Sequence, residues 1–242
     1  MTPFPIFLNN LHEQRSVVIG GNHEAERKTG DLLEADANVT LIAPDPTDTV
    51  KEWAEAGAIE WIERDYRPGD LEGAFLAIVS ETNPEKTHPI WKEAKERNIL
   101  FNAMDDIPHC NFFNGSYIRQ GPLVISISTT GAAPTLSVRL REWMEDEFGP
   151  EYEEFLHIMK DLRDPMAEHH PDFDERRDLW YEIVDSDALD LLRQGRRADA
   201  LDRIESIVGT EVVSSLRAPA HKDAETGWIN RLTSVWSSVG LW

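Results

Sequence analysis

The stretch from Ser16 to Asp45, SVVIGGNHEAERKTGDLLEADANVTLIAPD, constrains the fold of this chain more than any other. A short apolar run, Val17 to Ile19, breaks at Gly20-Gly21 into a segment with Ala25, Leu32 and Leu33 on one helical face. A second apolar run follows from Val39 to Ala43. That order is strand, glycine turn, helix, strand. In such a unit the glycines let the backbone approach a diphosphate, and the first free N–H groups and dipole of the helix point at the anion. A dinucleotide is the first ligand to consider; a plain βαβ unit of some other doubly wound protein is the alternative.

The turn departs from the usual dinucleotide fingerprint. It runs Gly20-Gly21-Asn22-His23-Glu24-Ala25, so Asn22 stands where a third small residue is usual. Asn is the best substitute for Gly at a positive φ. No acid closes the second strand in the usual position for a ribose hydroxyl, and the first candidate is Asp45, after Ala43-Pro44. Glu24 puts a carboxylate in the first helical turn, which suits the helix dipole but opposes a diphosphate at close range.

Alternation of strands and helices continues. Pro3 to Leu8 reads as an edge strand punctuated by proline, Thr47 to Ala56 as a helix, Ile59 to Ile62 as a short strand, and Tyr66 to Asp70 as a polar turn. Ala74 to Val79 is an unbroken apolar run, as in a parallel strand buried on both faces. Ser80-Glu81-Thr82-Asn83-Pro84 is a helix start, with the helix expected over Glu85 to Arg97 and a strand over Ile99 to Ala103. This pattern predicts a Rossmann-like doubly wound parallel sheet, with ligands at the carboxyl ends of the strands. Beyond it, Phe112 to Ile118 and Gly121 to Ser128 read as two strands. Pro134 opens a helix to about Phe148, and helical periodicity continues through Asp172 to Asp185, Ala188 to Gln194 and Arg197 to Val208. Thr210 to Thr226 reads as a linker, and Trp228, Leu232, Val235 and Val239 form a helical stripe in the tail. The expected domains are 1–111, 112–148, 149–209, and a linker and tryptophan-rich tail at 210–242.

A formal charge of −21 argues against nucleic acid and anionic membrane surfaces as partners. No apolar run reaches membrane-spanning length, and the N-terminus lacks a basic region or a cleavage-type site, so a cytoplasmic location is expected. One cysteine, Cys110, excludes an intrachain disulfide and a multi-cysteine metal site, and its expected role is that of a small buried hydrophobe. His109 and His169-His170 are lone histidines of the kind that is usually solvated. The distribution of charge is more informative than the sum: residues 107 to 141 carry no carboxylate but do carry Arg119, Arg139 and Arg141. Such a window is either a buried sheet or a pocket kept clear of negative charge for an anionic ligand.

Several separated stretches share one likeness. They are Pro5-Ile6-Phe7-Leu8; Val18-Ile19-Gly20-Gly21 with Ala25-Glu26-Arg27-Lys28; Leu32-Leu33-Glu34-Ala35; Asn102-Ala103-Met104-Asp105-Asp106; Gly121-Pro122-Leu123 with Ile125-Ser126-Ile127-Ser128; and Pro134 with Arg139-Leu140-Arg141-Glu142. In that order and spacing the chain resembles the precorrin-2 dehydrogenase and sirohydrochlorin ferrochelatase family, the NAD-dependent module of siroheme synthase. The likeness covers about residues 3 to 145 and continues more weakly to about 208.

The resemblance implies a homodimer built from an N-terminal Rossmann domain, a small α+β dimerisation element and a C-terminal helical domain. It implies NAD held by Gly20, Gly21, Asn22, His23, Glu24, Pro44, Asp45, Ser80 and Thr82. It puts the catalytic aspartate at Asp105, a general base whose pKa burial beside Asp106 would raise. Thr129 falls where a close relative carries a serine. The implied substrate is a carboxylate-rich tetrapyrrole, for which Arg119, Thr129, Arg139 and Arg141 are candidate contacts. The implied activity is NAD-dependent dehydrogenation of precorrin-2 to sirohydrochlorin, with ferrous iron as the substrate of a second, chelatase step; metal ligands are not specified. A dehydrogenase without chelatase activity, and a non-catalytic nucleotide-sensing module, are the alternatives. Three residues depart from the family pattern: Asn22 for the third Gly, Glu24 for an apolar residue, and Asp36 for the Gly that ends the first helix.

Overall fold

The computed structural model describes residues 3–217, which divide into two compact units, Pro3–Asn114 and the chain from Gly115 onward. The expected helical stripe at Trp228 to Val239 lies outside the described residues.

The first unit runs β1 (Arg15–Ile19), α1 (His23–Glu34), β2 (Asn38–Ile42), α2 (Asp48–Glu55), β3 (Glu60–Ile62), β4 (Ala74–Val79), α3 (Pro84–Glu96) and β5 (Leu100–Ala103). Among the described residues its strands form one parallel sheet in the order β3-β2-β1-β4-β5. Successive residues of β1, β2 and β4 are buried, because helices cover both faces of the sheet. Right-handed crossovers put α1 and α2 on one face and α3 on the other. On the α3 face, Val17, Ile19, Ala77, Val79 and Phe101 pack with Ile90 and Ala94. The connection from β3 to β4 has no helix. Leu71 fills that gap, and half-buried Tyr66 is tied by its hydroxyl to Glu93 of α3.

Asp36 supplies the left-handed residue, at φ 56°, that follows α1. It does what a glycine would do there, and Asp tolerates that region better than most residues. The β5 edge is not open. Asn111 accepts the Phe101 N–H with Oδ1 (2.7 Å), and donates through its own N–H to the Phe101 carbonyl (3.0 Å) and through Nδ2 to that of Ile99 (2.9 Å). One side chain thus stands in for part of a neighbouring strand.

The expected strand over Pro3–Leu8 does not form. Phe4, Ile6 and Phe7 are exposed, and the first regular piece is a 3-10 turn, Leu11–Glu13, anchored by buried Leu11. Pro3 and Pro5 cannot donate to a ladder, so apolar character alone does not recruit the segment to the sheet.

The second unit opens with an antiparallel pair, β6 (Ser116–Gln120) and β7 (Leu123–Ile127), turned at Gly121 with φ 55°. Helices α4 (Pro134–Glu147), α5 (Glu151–Asp161), α6 (Arg163–His169), α7 (Phe173–Asp185), α8 (Ala188–Arg193), α9 (Arg197–Val208) and α10 (Thr210–Val213) follow. Phe155, Ile158, Leu162, Met166, Ile183 and Ile204 form the centre of their core. Val212 and Val213 belong to that core, so residues 210–213, expected as linker, are packed helix. Helix α4 leaves Leu136, Val138 and Trp143 exposed.

Candidate functional site

Strand order reverses between β1 and β4, so the carboxyl end of β1 is the topological switch point of the sheet, where doubly wound proteins bind ligands. The glycine turn sits there. Gly20 has φ 116°, and a Cβ on it would lie 2.1 Å from Ser80 Oγ, at the end of β4. A Cβ on Gly21 would lie 2.8 Å from both the Asp45 carbonyl oxygen and Pro46 Cα, in the loop after β2. The two glycines are therefore demanded by the chain itself: they let the ends of β2 and β4 close on the turn. The same packing brings the predicted cofactor residues Gly20, Gly21, Pro44, Asp45 and Ser80 together.

Asn22 is not a strained glycine substitute. Its φ is −80°, and it is the N-cap of α1: Oδ1 accepts the Ala25 N–H (3.0 Å) while Nδ2 donates to the Ser80 carbonyl (3.2 Å). The cap uses the Ala25 amide and the helix uses that of Glu26, bonded to the Asn22 carbonyl (3.1 Å). Those of His23 and Glu24, in the first turn, are the ones a helix leaves for an anion. The Glu24 carboxylate is bound to Arg27, Nε to Oε2 at 3.0 Å, which offsets the charge expected to oppose a diphosphate. The residues present therefore fit a dinucleotide diphosphate.

The remaining predicted cofactor residues have distinct settings. The His23 side chain is exposed, within 3.5 Å of Glu26. Asp45 is exposed and held by Lys51 at 2.8 Å, and this contact raises the lysine's pKa. Ser80 is 2 % exposed, its Oγ 3.4 Å from the Ile19 carbonyl, so its hydroxyl belongs to the packing of the turn. Thr82 is exposed, and its N–H is taken by Glu81, whose carboxyl is held low chiefly by the Asn83 N–H.

Asp105 follows β5 in the left-handed region, φ 58°, an uncommon setting for a residue with a Cβ and one found at functional sites. The carboxylate is exposed, so the burial beside Asp106 expected for it is not supplied by this chain. Asp106 is half-buried, and the His109 Nδ1 lies 2.8 and 2.7 Å from its two carboxylate oxygens. Cys110 is half-buried and engaged. Its sulfur receives the Ala103 N–H (3.2 Å) and faces the carbonyls of Ala103 (3.4 Å) and Asp106 (3.3 Å). Burial pushes its thiol pKa up, the opposite of what a nucleophile needs. A pocket of 420 Å³ opens beside this segment, with Trp91, Lys95, Asn98 and His109 in its wall. The Asp106–His109 pair was not among the sequence candidates; the spacing of three in a turn that starts with Asp is its only local signal.

In the second unit, Arg119 is exposed on β6, Arg139 donates to Glu142 at 2.7 Å, and Arg141 pairs with Glu145, so the two α4 arginines are engaged on their own helix. Thr129 Oγ1 accepts from the Ala133 N–H (3.3 Å) and contacts Ser137 Oγ (3.2 Å), at the start of α4. His170, rather than being solvated, bridges the Val208 carbonyl and Glu175, both at 3.0 Å. No group of three or more His, Cys, Asp or Glu among the described residues is arranged to hold a metal ion.

Comparison with known proteins bears on both units. A family model described as NAD(P)-binding matches residues 7–116, and one described as the sirohaem synthase dimerisation region matches residues 151–207. Siroheme synthase of Chromobacterium violaceum is 29% identical over 202 residues, 84% of this chain and 43% of that protein. The enzyme of Pseudoalteromonas atlantica is 30% identical over 200 residues, 83% of this chain and 43% of the relative. That of Xylella fastidiosa is 31% identical over 198 residues, 81% and 41%. The chain thus spans less than half the length of these curated relatives. Among solved structures, SirC, precorrin-2 dehydrogenase, superposes with a TM-score of 0.69 at 22% identity, covering 84% of this chain and 100% of that one. At that identity the likeness speaks for the fold.

Proposed function

We propose that the chain belongs to the precorrin-2 dehydrogenase family, the NAD-dependent module of siroheme synthase, and that it oxidises precorrin-2 to sirohydrochlorin with NAD; the two family-model matches and the siroheme synthase relatives support this reading. The reading rests above all on the turn from Gly20 to Asn22 at the switch point, a start of α1 that leaves the amides of His23 and Glu24 for a diphosphate. Asp45 is the proposed acceptor for ribose hydroxyls once Lys51 yields it. NAD supplies hydride acceptance when bound. The protein's part is to orient the substrate carbon and to take the proton that leaves as the hydride does, and we assign the proton to the Asp105 carboxylate.

Arg119, Thr129, Arg139 and Arg141 are the proposed contacts to the carboxylates of the tetrapyrrole. Arg119 is the strongest of them, because Arg139 and Arg141 must first leave Glu142 and Glu145. Ferrous iron insertion is the proposed second step, in which the tetrapyrrole is itself the chelator and iron is a substrate. A homodimer fits the match to the dimerisation region. The test is an anaerobic incubation of the purified chain with precorrin-2 and NAD, with and without ferrous iron. Sirohydrochlorin should form only with NAD, and siroheme only when iron is also present. Absence of sirohydrochlorin would overturn the dehydrogenase reading; sirohydrochlorin that never becomes siroheme would limit the chain to dehydrogenation.

A further inference from the structure

The Asp105 turn is short of local support from its own backbone. Its closing bond, Asp106 N–H to the Ala103 carbonyl, is long at 3.4 Å, and Asp105 itself sits at φ 58°. Asp tolerates that region better than most residues, yet it stays there only where its surroundings hold it. The surroundings here come from the 3-10 turn Ile107–His109 and the residue after it. The His109 N–H bonds the Asp106 carbonyl (3.1 Å), while its ring Nδ1 reaches both oxygens of the Asp106 carboxylate, so one residue holds Asp106 by backbone and side chain together. The imidazole is in turn seated on α3. Its centroid is 4.3 Å from that of Trp91, whose ring also meets His88 at 5.1 Å and lies under the Lys95 ammonium at 5.1 Å. Cys110 pins the far end of the turn to Ala103 and Asp106.

We propose that His109 is a positioning residue: clamped on Trp91, it holds Asp106 and thereby fixes the left-handed turn that presents Asp105. The inference rests on the assignment of Asp105 as the proton acceptor. Magnitudes separate it from a purely structural role. A side-chain contact this accessible, with side chains 36% and 29% exposed, adds little to stability, so its loss leaves the sheet folded. A displacement of about 1 Å at a reacting group can nevertheless cost up to about a hundredfold in rate.

The test uses the full chain as wild type, His109→Ala, His109→Asn and Asp105→Ala. Asn keeps an N–H donor at the place of Nδ1. His109→Ala should lower kcat for precorrin-2 oxidation about tenfold, leave the KM for NAD unchanged because the glycine turn is untouched, and speed hydrogen exchange at the Asp106 and His109 amides. His109→Asn should restore most of kcat and of the protection. If His109→Ala matches wild type in kcat while Asp105→Ala is inactive, the proposal fails and the catalytic assignment stands. If Asp105→Ala is as active as wild type, both fail. Should His109→Ala not fold, Trp91→Leu, which removes the seat and keeps the carboxylate contact, must lower kcat with KM for NAD unchanged, and wild-type kcat in it overturns the proposal.

Discussion

Asn22 does two things that the glycine it replaces could not: it caps α1 through Oδ1 and ties the turn to the end of β4 through Nδ2. Asn22→Ala should therefore destabilise the first unit by about 1 kcal/mol, measured by urea unfolding, and weaken NAD binding, whereas Asn22→Gly should cost only a few tenths in stability. Equal effects of the two substitutions would deny the cap. The Asn was visible in the sequence only as a departure from a fingerprint. Its capping role follows from the spacing of three to Ala25 and was open to inference; its bond to Ser80 was not, since that contact joins residues far apart in the chain. The assignment of Asp105 comes from the resemblance; its exposure and its left-handed backbone were not readable from the sequence. Asp105→Asn keeps size and hydrogen bonding while removing the basic oxygen, so it should abolish most of the dehydrogenation and leave NAD binding unchanged, as read by titration of the cofactor.

At the scale of elements, periodicity carried far. The runs forming β1, β2, β4 and β5 and the helices between them stand where hydrophobic spacing put them, because strands covered on both faces leave an unambiguous pattern. The misses have physical causes. Residues Pro3–Leu8 are apolar yet unpaired with the sheet, since their prolines lack donors, and residues 210–213 are too short for periodicity to read, while Val212 and Val213 are claimed by tertiary packing. The closeness of β2 and β4 to the glycine turn makes a direct prediction: Gly21→Ala drives a Cβ into the Asp45 backbone at 2.8 Å, so the loop must shift and NAD affinity should fall at least about tenfold. A second element-scale device is His170, which joins the end of α6 to α7 and α9. The Val208 carbonyl is the main cause raising its pKa, burial opposes, and Glu175 adds to the rise. A raised folded pKa means that the stabilisation is complete below the ordinary value of 6.5 and is lost as pH rises through the folded one. The thermal stability of the helical unit should accordingly fall as pH rises above 6.5, and His170→Gln should flatten that dependence; an unchanged slope would contradict the assignment.

At the scale of the whole molecule, the proposed substrate is a carboxylate-rich tetrapyrrole and the chain carries a charge of −21; the carboxylate-free residues 107 to 141 are where the sequence would relax that repulsion. Arg119→Glu should raise the apparent KM for the tetrapyrrole more than that for NAD, and equal effects would count against a substrate contact. Light scattering on the intact chain should report a dimer, with Trp143→Arg, at an exposed apolar position of α4, as the variant that tests that face. What we propose above all is that a dinucleotide at the Gly20 turn takes hydride from precorrin-2. Its most direct measurement is the stoichiometry of an anaerobic reaction followed to completion. One NADH should form for each precorrin-2 converted to sirohydrochlorin, and Asp105→Asn should form both only at a small fraction of the wild-type rate. Sirohydrochlorin formed without NADH, or no turnover by the wild-type chain, would contradict it.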